Sequence, residues 1–133
     1  QALDLVCLEL LRGHSTLARI TQLHRRGLPQ FQVRKVIGYM RDHLAEDVSL
    51  QELADLVGMS RYHFCTAFRM ATGAAPHETL TRLRLELACE LLRFSRLPII
   101  DVAYSVGYTS PSSFSAAFRR QLGISPREYR SQA

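Results

Sequence analysis

Two stretches of the chain, GMSRYHFCTAF at 58–68 and GYTSPSSFSAAF at 107–118, share one apolar frame, with an extra residue in the second. Leu53, Ala54, Val57 and Gly58 recur as Val102, Ala103, Val106 and Gly107 at an offset of 49. Phe64, Ala67, Phe68, Arg69, Gly73 and Pro76 recur as Phe114, Ala117, Phe118, Arg119, Gly123 and Pro126 at an offset of 50. The insertion therefore lies in a turn, and the helices on either side keep their registers. Two copies are too few for a solenoid, which needs about three stacked units to close a core. Each copy is a short helix, a tight turn beginning at Gly and a second helix, the outline of a helix-turn-helix.

The rest of the chain reads as helix too. Val33, Val36, Ile37, Met40 and Leu44 recur at helical spacing and predict a helix from Phe31 to about Ala45. Ser49, with Glu52 three residues on, caps the first helix of copy one, whose buried face is Leu50, Leu53, Ala54 and Val57. Ser60 caps the second helix, which Gly73 closes. Pro76 opens a long helix to Phe94 with Leu80, Leu83, Leu87 and Leu91 as its apolar stripe. Pro98 starts a short helix, Ser110 caps the next, and Pro126 begins a terminal turn through Tyr129. No strand pattern competes, so the fold class is all-α: two homeodomain-like helix-turn-helix subdomains joined by a long linker helix, with an extra N-terminal helical segment.

Composition narrows the function. The 133 residues are 47% hydrophobic, enough for one domain with a core or two very small ones. No run reaches the ~18 apolar residues of a membrane span, and QALDLVCLEL lacks the order of a signal peptide, so a cytoplasmic protein is expected. Cys7, Cys65 and Cys89 form no CxxC pair and stand with no histidine at zinc-finger spacing, which favours reduced thiols; no metal and no cofactor are expected. The net charge is +5 and is unevenly spread. Asp42, Glu46, Asp47, Glu52 and Asp55 meet no Lys or Arg between them, whereas ten arginines face five acids from Ser60 onward. A polyanion should therefore meet the second half.

In both copies the Phe pairs stand four apart and face inward as scaffold. The opposite stripe of the second helix is then Tyr62, Cys65, Thr66 and Arg69 in copy one, and Ser112, Ser115, Ala116 and Arg119 in copy two. A recognition helix presents such a stripe to base edges in the major groove. Either stripe alone could be a plain solvated face. The same stripe twice in a basic chain points to DNA.

The residues SLQELADLVGMSRYHFCTAFRMATGAAP, RLRLELACELL and PIIDVAYSVGYTSPSSFSAAFRRQLGISPREYR, over a span from about Phe31 to Arg130, resemble the DNA-binding domain of the AraC/XylS family of bacterial transcription regulators. The last stretch carries the family's frame at Gly107, Phe114, Phe118, Gly123, Pro126 and Arg130. The resemblance implies two helix-turn-helix subdomains, at 31–75 and 95–133, joined by the helix at 76–94. It also implies binding to double-stranded DNA and transcription regulation, leaning to activation through RNA polymerase. A helix from His77 to Phe94 is roughly 27 Å long, against about 34 Å for a turn of DNA, so one monomer can address two half-sites. Residues 1–30 fall outside the match and are expected to be the end of a missing N-terminal effector-binding or dimerisation domain, with its linker. A small-molecule effector would act only through that domain. The helix ALDLVCLELL either packs on the DNA-binding part or pairs with a second copy to form a homodimer.

The candidate DNA-binding residues are Arg61, Tyr62, Cys65, Thr66 and Arg69 in the first recognition helix. In the second they are Ser110, Ser112, Ser113, Ser115, Ala116 and Arg119. Where relatives carry Gln or Arg at the positions of Cys65, Thr66, Ser115 and Ala116, this chain has small groups. Tyr62, Thr66, Ser112 and Ser113 are expected to lead base reading, with Arg61, Arg69 and Arg119 on phosphates. Two other classes compete. A helical protein-interaction or dimerisation module would bind without salt dependence, and a DNA-repair methyltransferase-associated domain would need a reactive cysteine. As an enzyme the chain offers no phosphate loop, nucleophile elbow or HExxH. His63 and Cys65 project about 200° apart on a helix and cannot act as base and nucleophile together.

Overall fold

A computed structural model describes residues 27–133, which form seven helices and no strand. They are α1 (Gln30–Asp42), α2 (Leu50–Leu56), α3 (Arg61–Thr72), α4 (Pro76–Phe94), α5 (Ile99–Ser105), α6 (Pro111–Leu122) and α7 (Pro126–Gln132). The expected all-α class is observed. The expected N-terminal helical segment, with Cys7, falls outside the described residues. Among those described, no helix is long and apolar enough to cross a membrane. The chain divides into two compact units. Among the described residues, one takes 27–42 and Val48–Thr79; the other takes His43–Asp47 and Leu80–Ala133.

In the first unit α1, α2 and α3 pack on one another. α1 buries Val33, Val36 and Met40, one residue per turn, as the spacing predicts. It ends at Asp42, three residues before the expected Ala45, although Leu44 stays buried. The reason is a distant side chain: Arg84 Nε donates to the Leu44 carbonyl (3.1 Å) and Arg84 Nη2 to that of Glu46 (2.9 Å), which holds this stretch as turns. Ser49 and Glu52 form the expected capping box at α2, with Glu52 N–H to Ser49 Oγ at 3.1 Å and Ser49 N–H to Glu52 Oε1 at 2.9 Å. Of the expected buried face Leu53 and Ala54 are buried, whereas Leu50 and Val57 are half-buried. Tyr39 Oη donates to Glu52 Oε2 at 2.8 Å and ties α1 to that capped end. Phe64 and Phe68 of α3 are fully buried, their ring centroids 5.6 Å apart. Each contributes on the order of 2 kcal/mol by leaving water.

The second unit is built around Leu85, Ala88, Leu92, Val102, Ala103, Val106, Phe114 and Phe118. This revises the stripe expected on α4. Leu80 and Leu83 are buried, but Leu87 and Leu91 are only partly so, and the deep positions are Leu85, Ala88 and Leu92. A stripe read at a single helical spacing captures one face, whereas α4 buries two. Arg130 of α7 fixes the far end of α4. Its Nε donates to the Leu92 carbonyl at 3.1 Å, and its Nη2 reaches the Leu91 and Ser95 carbonyls at 3.5 Å. A cation on the last carbonyls of a helix complements the helix dipole. α7 itself runs to Gln132, beyond the turn expected through Tyr129, and Ser125 and Glu128 form a second capping box at its start. Cys65 and Cys89 are free and half-buried. Burial pushes the Cys89 thiol up against a lowering hydrogen bond from Tyr129.

Candidate nucleic-acid interface

Each copy turns the chain with the same backbone bonds. In the first, Gly58 N–H bonds to the Asp55 carbonyl (3.2 Å) and Met59 N–H to that of Ala54 (3.0 Å). In the second, Gly107 N–H bonds to Tyr104 (3.1 Å) and Tyr108 N–H to Ala103 (3.0 Å). This pairing closes a helix with a left-handed residue at its end, and Gly58 (φ +68°) and Gly107 (φ +100°) supply it. Ser60 and Ser110 then cap α3 and α6 by accepting the third N–H of each helix. The extra residue lies between the glycine and the cap: Met59 alone spans the first turn, Tyr108 and Thr109 the second.

The Tyr108 side chain gives that insertion a use. Its ring packs on Phe114 at 5.6 Å between centroids and under the Arg84 guanidinium at 5.9 Å. Burial raises the Tyr108 phenol, with nearby Arg84 acting in the opposite direction, and holds the Arg84 guanidinium below its ordinary value. Arg84 thus meets a ring and two carbonyls at once. Gly107 sits beside it so closely that an added Cβ would lie 2.1 Å from the Leu44 carbonyl oxygen, whereas one on Gly58 would meet open space.

With Phe64, Ala67 and Phe68 buried, α3 exposes Arg61, Tyr62, Thr66 and Arg69, and Cys65 is half-buried at the edge. Tyr62 stands out, 77% exposed for a large apolar ring. With Phe114, Ala117 and Phe118 buried, α6 exposes Ser112, Ser113, Ala116 and Arg119, and leaves Ser115 half-buried. Ser110 is half-buried, and its hydroxyl is committed to the cap: it accepts from Ser113 N–H (3.1 Å) and donates to Ser113 Oγ (3.0 Å). Neither helix contains an acidic residue, and α6 adds an exposed Arg120 beside Arg119. His63 and Arg120 are exposed polar groups outside the predicted set. The sequence signal for His63 was its position fifty residues before Ser113. Such faces can donate hydrogen bonds to base edges and phosphates and offer methyl contacts at Thr66 and Ala116.

A capped helix behind a glycine turn, basic and polar on its outer face and occurring twice, defines a helix-turn-helix DNA-binding protein. Residues 53–132 match the family model described as a helix-turn-helix domain. The chain is 43% identical over 82 residues to the RCS-specific HTH-type transcriptional activator RclR of Escherichia coli strain K12, covering 62% of this chain and 29% of that protein. Its fold matches a transcriptional regulator of the AraC-type DNA-binding domain-containing proteins from Chromobacterium violaceum, with a TM-score of 0.73 and 29% identity over 77% of this chain and 92% of that one. It also matches the DNA-binding domain of AdpA, solved with a target DNA, with a TM-score of 0.72 and 37% identity over 75% and 90% of the two chains. The chain belongs to the AraC family and carries its DNA-binding domain. It spans less than half the length of the curated relatives it matches.

Proposed function

We propose that this chain binds double-stranded DNA sequence-specifically and regulates transcription, in the activating direction, as a component of a bacterial cytoplasmic regulator. The observation that carries this reading is the duplicated reading head: two serine-capped helices free of acidic residues, each with an outer face of arginine, hydroxyl and methyl groups. Tyr62, Thr66, Ser112 and Ser113 lead base reading, with Cys65, Ser115 and Ala116 as close contacts, and Arg61, Arg69 and Arg119 hold phosphates. Ser110 serves the interface through its cap. RNA polymerase is the protein partner. A small-molecule effector and a homodimer belong to the longer protein, and the role is binding rather than catalysis.

Selection of bound sequences from randomised duplexes, followed by anisotropy titrations across a salt series, tests the division of labour. Ser112→Ala should relax preference at one position of the site. Arg119→Ala should weaken all sequences and lower the slope of log K against log salt by about one. A uniform affinity shift in both variants would contradict the assignment, and binding indifferent to salt would favour a protein-interaction module.

A further inference from the structure

The third residue of α3 and the third residue of α6 are His63 and Ser113, fifty positions apart in the repeat. Their caps hold them alike. Ser110 Oγ accepts from Ser113 N–H at 3.1 Å and donates to Ser113 Oγ at 3.0 Å. Ser60 Oγ accepts from His63 N–H at 3.2 Å and lies 2.9 Å from His63 Nδ1. The Tyr62 ring stands edge-on to the imidazole, 5.8 Å between centroids at 68°. An exposed histidine is thus fixed on two sides, and Nε2 is the polar ring atom left to face outward.

A serine hydroxyl has one proton to give and lone pairs to receive. In α6 that proton goes to Ser113 Oγ, which leaves the Ser113 proton pointing away from the cap as a donor. We propose that Ser60 likewise gives its proton to His63 Nδ1 and so presents Nε2–H as a donor to the N7 of a purine in the first half of the DNA site. His63 is then a specificity-determining residue and Ser60 its positioning residue. This rests on the DNA-reading role of α3 and deepens it by naming the group read. Two facts favour a base over solvent. The N-terminal residues of a recognition helix are those that reach base edges. Purines also present N7 as an acceptor in the major groove, where a single donor separates purine from pyrimidine without a bidentate side chain.

The test compares the 133-residue chain with His63→Ala and Ser60→Thr by selection from randomised duplexes, then by anisotropy on duplexes carrying 7-deazapurines, which lack N7. One purine-restricted position should lose its preference in His63→Ala by roughly fivefold to tenfold. A 7-deazapurine there should weaken the unaltered chain by the same factor and leave His63→Ala unchanged. Ser60→Thr, which keeps both cap and proton, should retain the preference. Unchanged preferences in His63→Ala overturn the inference, and so does indifference of the unaltered chain to 7-deazapurine, a measurement that needs no variant to fold. In either case the DNA-reading role of α3 stands. Failure of the unaltered chain to enrich any sequence overturns that role, and this inference with it.

Discussion

The two reading heads agree where they pack and differ where they face outward. Ala54 and Ala103, Phe64 and Phe114, and Phe68 and Phe118 are buried at matched positions, and the two glycine turns repeat the same hydrogen bonds. On the outside, Arg61, Tyr62 and His63 stand where the second copy has Pro111, Ser112 and Ser113. Interior positions answer to volume and to backbone bonding, which tolerate little change. Outer positions answer only to what they touch. At these three positions the first head offers a guanidinium, an aromatic ring and an imidazole. The second has a proline ring and two small hydroxyls at those positions.

The strongest challenge to this equivalence is to hollow each core in turn. Phe68→Ala and Phe118→Ala should each cost about 3–5 kcal/mol in thermal unfolding. A clear inequality would mean that the copies do not share one packing scheme. The glycines should then split the copies apart. Gly107→Ala must accommodate both a positive φ and a methyl 2.1 Å from the Leu44 oxygen, so a loss of about 3 kcal/mol or more is expected from strain plus overpacking. Gly58→Ala, with space around it, should lose about 1 kcal/mol from backbone strain alone. Equal losses would break the distinction. The finest comparison is between the caps: Ser60→Ala and Ser110→Ala should each lower stability by about 1 kcal/mol.

Most of the frame could be read from the chain because its signals are local. Ser49 with Glu52, the caps at Ser60 and Ser110, the closing Gly73 and Gly123 and the Phe pairs each depend on residues within about one turn. What escaped depends on distant partners. The early end of α1 follows from Arg84, forty residues beyond Leu44. Leu85, Ala88 and Leu92 of α4 are buried because helices that come later in the chain cover a second face. At the candidate site the exposed stripes of α3 and α6 were legible from periodicity. The pinned ring of His63 was not, because a stripe drawn opposite the core leaves out a residue at its flank, and the turn of the imidazole toward Ser60 is a matter of rotamer.

The pentapeptide His43–Asp47 has a consequence for anyone who would recombine these heads. It lies in the chain between α1 and α2, yet it belongs to the compact unit formed by Leu80–Ala133. Neither unit is an unbroken length of chain, so the second is no cassette to be lifted out by cutting near residue 80. A transplanted head lacking HLAED would leave Arg84 without its acceptors and Gly107 facing a gap where the Leu44 carbonyl had been. Altered regulators assembled by exchanging heads should carry those five residues along.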